Sequence, residues 1–146
     1  MDGTFRLATA GAELVCSEVG CGPAVVLLHA GGERRGVWAP VARRLAVAGF
    51  RAVTVDQRGH GDTGGVGSRL EDLVADACAL IEDLGVPVLL VGSSLGGFYA
   101  TVLAERWGCK AVVMNPAVDP ARDLVRYIGE QQAFHDPAQR FVFHAA

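Results

Sequence analysis

Apolar residues fall along this chain in two alternating rhythms: short unbroken runs suited to strands, and longer stretches in which they recur at three- and four-residue steps. Residues 4–8 and 13–17 flank Gly11 like an opening hairpin, and Ala24-Val25-Val26-Leu27-Leu28 then reads as a strand buried on both faces. Residues 37–48 are predicted helical, with Trp38, Val41, Leu45 and Ala48 on the inner face and Gly49 as the stop before a strand over 51–55. The strongest helix signal follows. Ser68 and Glu71 have capping-box spacing, and Leu70, Leu73, Val74, Ala77, Leu80, Ile81 and Leu84 form one apolar stripe up to Gly85. A strand over 88–91, a helix over 95–107 and a strand over 111–114 continue the alternation. Past Asn115 the pattern loosens to a short helix within 119–129 and a strand start at 140–143. There is no internal repeat and no low-complexity linker. This rhythm predicts an α/β fold with a mostly parallel sheet and helices on both faces.

Composition narrows the function classes. With 146 residues, 51% of them hydrophobic and 20% charged, the chain is expected to form a single soluble domain over 1–146. A net charge of −3 and a pI near 5.7 supply no basic field for nucleic acid. No apolar stretch reaches the ~18 residues of a membrane span, so no membrane partner and a cytoplasmic location are expected. Cys16, Cys21, Cys78 and Cys109 form no C-x-x-C pair, so neither a metal site nor any other cofactor is implied.

Chemistry concentrates between the 88–91 strand and the 95–107 helix. Gly92-Ser93-Ser94-Leu95-Gly96 is a G-x-S-x-G pattern in the strand-turn-helix setting that a nucleophile elbow requires, and only Ser94 lies in frame between the two glycines. The Leu95 N–H, at the start of the following helix, is a candidate oxyanion donor. The plainer reading makes Ser94 a structural serine in a glycine-rich turn. A serine hydroxyl needs a base and an orienting carboxylate, in the chain order Ser, acid, His. His135 and His144 follow Ser94, with Asp119, Asp123, Glu130 and Asp136 as available carboxylates, but none sits in a motif of that kind. His29 is expected to orient its loop, and His60 to belong to a loop signature.

Two upstream motifs complete a pattern with the elbow. His29-Ala30-Gly31-Gly32 follows the first buried strand, and Asp56-Gln57-Arg58-Gly59-His60-Gly61-Asp62-Thr63 follows the second. In this order, over residues 24–107, the sequence resembles an α/β-hydrolase. The resemblance implies Ser94 as nucleophile, the Gly31 amide as second oxyanion donor beside Leu95, and a structural role for the 56–61 loop. Ala30 departs from the glycine usual there. Residues 88–143, through Val91-Gly92-Ser93-Ser94-Leu95-Gly96-Gly97-Phe98-Tyr99-Ala100-Thr101, Asn115-Pro116-Ala117-Val118, Pro120 and Tyr127-Ile128-Gly129-Glu130, resemble the YqiA-like bacterial esterases. That implies a serine carboxylesterase acting on small acyl esters. It also implies a partial α/β-hydrolase fold lacking the C-terminal strands, apparently truncated, with the acid and base of the triad missing from this chain. The alternative is a non-catalytic ligand-binding or interaction module that retains the fold. Stopping there leaves the 111–114 strand at an open sheet edge, so a homodimer through that edge is expected unless residues 140–143 fold back over it.

Overall fold

The computed structural model describes residues 2–66, 69–85, 87–133 and 136–143. Strands β1 (Asp2–Thr9) and β2 (Ala12–Val19) form the opening hairpin, with Gly11 turning it at φ 97°. The chain then alternates β3 (Ala24–Leu28), α1 (Ala39–Val47), β4 (Arg51–Asp56), α2 (Leu70–Leu84), β5 (Val88–Ser93), α3 (Leu95–Trp107) and β6 (Lys110–Met114). These six strands make one sheet in the order β1-β2-β4-β3-β5-β6, parallel from β4 to β6, with the hairpin added antiparallel at one side.

All five residues of β3 are buried, as a continuous apolar run between two helical layers must be. Alternate side chains go to opposite faces. Val26 and Leu28 join Leu90, Leu80, Ile81, Ala100 and Leu103 under α2 and α3, whereas Val25, Leu27 and Ala52 meet Trp38 and Ala42 at α1. The expected helix over 37–48 is split: a 3₁₀ turn, Arg35–Trp38, precedes α1, with Pro40 in its first turn. The buried stripe is therefore Trp38 and Ala42 with Leu45 half-buried, while Val41 is 40% exposed. Ser68 lies outside the described residues, and Arg69, in an extended conformation with no side-chain capping bond, occupies the N-cap of α2.

The segment expected as a short helix within 119–129 forms only α4 (Pro120–Asp123) and a 3₁₀ turn, Val125–Tyr127. The strand start at 140–143 is the end of β8 (Asp136–Phe143), which pairs antiparallel with β7 (Gly129–Ala133) in a separate two-stranded sheet. It does not fold back over β6. Among the described residues β6 pairs only with β5, and all five of its residues are exposed. No helix among the described residues is long and apolar enough to cross a membrane.

Strand order places the chemistry. From β3 the chain moves through α1 to β4 on one side, and later through α2 to β5 on the other, so the crevice between β3 and β5 is the switch point of the sheet. Leu28 is in register with both Val55 and Gly92. The loops beginning at His29, Gln57 and Ser94 therefore leave the sheet side by side.

Candidate active site

Ser94 joins β5 to α3 at φ 51°, ψ −115°, a conformation that L-residues rarely hold and that costs ~1–3 kcal/mol. Backbone hydrogen bonds fix it there. The Ser94 N–H donates to the Met114 carbonyl at 3.0 Å, and the Ser94 carbonyl accepts from Gly97 at 3.0 Å, Phe98 at 3.2 Å and Ala117 at 3.0 Å. The two elbow glycines answer to close packing rather than to their own dihedral angles. A Cβ on Gly92 would run into the backbone of Gly96, and one on Gly96 into the carbonyls of Leu28 and His29. Gly97 lies close to the next loop, though less tightly, since a Cβ there would stand 3.0 Å from Pro116. Ser94 and Leu95 are both half-buried, and the Leu95 N–H, opening α3, has no acceptor within the helix.

Across the crevice, the loop after β3 is fixed by two histidines. His29 is fully buried. Its Nε2 accepts from the Gln57 N–H at 3.1 Å, so the ring proton sits on Nδ1 and is donated to the Ala30 carbonyl at 2.7 Å. The Glu33 N–H also binds that carbonyl, at 3.2 Å. The Ala30 carbonyl and the Gly31 N–H belong to one trans peptide, so holding the oxygen turns the N–H to the opposite side. Burial lowers the His29 pKa to about 4, which keeps the ring neutral. His60 accepts from the Gly32 N–H through Nε2 at 3.2 Å and bonds the Arg58 carbonyl through Nδ1 at 3.0 Å.

The loop signature is structural throughout. The buried Asp56 carboxylate accepts from the Arg35 N–H at 2.6 Å, the Asp62 N–H at 2.9 Å and the Arg35 guanidinium. Arg58 donates from Nε and Nη2 to Asp76 at 2.8 and 2.7 Å and from Nη2 to the Ala10 carbonyl at 2.8 Å. Thr63 accepts from the Val15 N–H at 2.8 Å, tying the loop to β2. Sequence reasoning missed Asp76, which hides among the apolar positions of α2, and Gln57, whose amide also donates to the His29 carbonyl at 2.7 Å. The available signal was Arg58, a cation in a buried loop that needed a carboxylate opposite it.

Of the expected site residues, Ser94, Leu95 and Gly31 are brought to the ends of β5 and β3. Of the histidines among the described residues, His29 and His60 both spend their two ring nitrogens on backbone groups; His135 and His144 lie outside the described residues. Asp119 accepts from the Arg122 N–H at the start of α4, and Glu130 pairs with Arg140 at 3.0 Å. Asp123 pairs with Arg122 at 2.8 Å, and the Asp119 N–H together with that guanidinium holds its carboxyl below the usual range. A groove of about 630 Å³, lined by Ser17, Arg34, Arg35, Arg43 and Asp62 among others, includes none of Ser94, Leu95 or Gly31.

Comparison with known proteins gives consistent findings. The family described as serine aminopeptidase, S33, matches residues 22–142. Protein phosphatase methylesterase 1 of Mus musculus is 36% identical over 107 residues, which is 66% of this chain and 25% of that protein. Pimeloyl-[acyl-carrier protein] methyl ester esterase of Chromobacterium violaceum is 37% identical over 97 residues, 66% of this chain and 35% of that one. A crystal structure of an epoxide hydrolase from Vigna radiata superposes with a TM-score of 0.72 at 31% identity, covering 77% of this chain and 39% of the other. This chain thus spans well under half the length of each.

Proposed function

We propose, because this chain belongs to the serine aminopeptidase S33 family of the α/β-hydrolases, that it carries the nucleophile and oxyanion hole of a serine carboxylesterase acting on small acyl esters. One observation carries the reading: the strained conformation of Ser94 between two glycines that tolerate no side chain, at the switch point of the sheet. Two of the similar proteins are ester hydrolases by name, which supports an ester over other acyl substrates. The same parts serve a thioesterase.

In this reading the Ser94 hydroxyl adds to the ester carbonyl and gives up its proton to a base. The Gly31 and Leu95 amides hold the resulting oxyanion, the alcohol leaves with a proton, and water then releases the acid. Neither described histidine takes the proton, since a neutral buried His29 and a doubly bonded His60 have no free lone pair directed at Ser94. The second reading is a ligand-binding or interaction module that keeps the fold.

A fluorophosphonate followed by mass mapping separates the two. The hydrolase reading expects one adduct, on Ser94 and not Ser93, which disappears in Ser94→Ala. An unlabelled wild-type chain, or an adduct that survives Ser94→Ala, refutes it.

A further inference from the structure

We infer that His60 is a positioning residue for the oxyanion hole, holding the second peptide of the loop that presents the Gly31 amide. The inference rests on the reading of Ser94 as nucleophile and Gly31 as oxyanion donor. Gly31 lies between two peptide planes. The first, 30–31, is fixed through the Ala30 carbonyl by the His29 Nδ1–H and the Glu33 N–H. The second, 31–32, is fixed through the Gly32 N–H, whose acceptor is His60 Nε2 at 3.2 Å. Without that acceptor the second plane is free to rotate about its flanking glycine bonds, and the Gly31 N–H is aimed only from one side, through the bonds to the Ala30 carbonyl.

His60 suits the task because its own position is fixed. A backbone N–H can only donate and a carbonyl can only accept, so the bond to Gly32 requires a lone pair on Nε2 and the bond to the Arg58 carbonyl requires the proton on Nδ1. One neutral tautomer meets both. The backbone is pinned as well: the His60 N–H donates to the Gln57 carbonyl at 2.9 Å, and the His60 carbonyl accepts from Thr63 at 3.0 Å. Arg58 is in turn locked to Asp76 of α2. The ring also rests on His29, with centroids 5.1 Å apart, so the two imidazoles hold the two peptides as one packed unit. A route of direct bonds thus runs from α2 through Arg58 and His60 to the oxyanion loop.

Three variants separate aiming from filling space. His60→Gln presents a carbonyl oxygen where Nε2 stood, His60→Asn keeps only a donor for Arg58, and His60→Leu has neither. The readout is the rate of Ser94 modification by a fluorophosphonate, followed by intact mass, with thermal melting measured beside it. Asn and Leu should slow the reaction on the order of ten- to a hundredfold, the range for a misplaced oxyanion donor, and Gln should restore most of the rate. A merely structural role would track the melting temperature instead of the acceptor. Asn reacting as fast as wild type, or Gln as slowly as Leu, overturns the inference while leaving Ser94 as nucleophile. If His60→Leu does not fold, the Asn and Gln pair decides alone. A wild-type chain with no Ser94 adduct removes both this inference and the reading beneath it.

Discussion

Replacing Asp76 by alanine should be among the most damaging single changes in this protein. The carboxylate is 4% exposed as a residue and receives two guanidinium hydrogen bonds from Arg58, at 2.8 and 2.7 Å, together with the hydroxyl of Thr9. The Arg58 side chain is itself only 8% exposed, so the substitution leaves an enclosed cation with the Ala10 carbonyl and the carboxylate of Asp72, 4.0 Å away, as its remaining partners. Breaking a buried ion pair from one side costs ~3–5 kcal/mol, because the remaining charge keeps its desolvation penalty and loses its compensation. Set against the ~5–15 kcal/mol by which domains are stable, that is a large fraction. Urea unfolding measures it: with a slope of ~1–3 kcal/mol/M the midpoint should fall by more than ~1 M. Arg58→Met, alone and combined with Asp76→Ala, supplies the control. Removing both charges should recover much of the loss, giving a coupling energy on the order of 2–3 kcal/mol in the double-mutant cycle. A loss under ~1 kcal/mol for Asp76→Ala, or strict additivity in the cycle, would refute the view of this pair as an enclosed charge unit.

Two further outcomes are expected. His29 stays neutral in the folded state down to about 4, whereas the unfolded chain takes up its proton near 6.5; the stability from this residue is therefore complete above 6.5 and lost as the pH falls toward 4, by up to ~3 kcal/mol. Urea midpoints across that window should show an acid limb that is absent in His29→Gln, and identical pH profiles would exclude the assignment. For the uncovered β6 edge, we propose self-association, visible in size-exclusion chromatography with light scattering as a dimer that Val113→Lys returns to monomer; a monomer at all concentrations would reject edge pairing.

How much of this was legible in the sequence depends on how local the cause was. The elbow was readable because its requirement is steric: a serine at positive φ between positions without room for a Cβ leaves a five-residue signature. The run at β3 and the stripe of α2 were readable because burial on two faces, or on one side of a helix, sets the spacing directly. The face of α1 was misjudged, because the 3₁₀ turn before it changes the angular position of Trp38 relative to the helix and moves burial from Val41 to Ala42. The 119–129 segment broke into fragments because little core lies beneath it to repay a longer helix; neither α4 nor the turn after it has a buried residue. Asp76 and Gln57 were missed for a different reason: Arg58 signalled the need for a carboxylate without saying which one. Their partners stand 18 and 28 positions away, and only the folded sheet brings them together.

The bonds that hold Ser94 in its costly conformation come from two sides of the elbow, and two of them reach it from β6 and the loop beyond, at Met114 and Ala117. That strand is also the least covered in the main sheet, with Val112 and Met114 each more than 40% exposed. The serine's geometry is therefore tied in part to the periphery of the fold. In native-state hydrogen exchange, the Ser94 and Ala117 amides should open together, at a lower free energy than the amides of β3. Substitutions in β6 are expected to speed unfolding more than they slow folding, and a φ-value near 1 at Val112 would refute this dependence of the elbow on a late-docking strand.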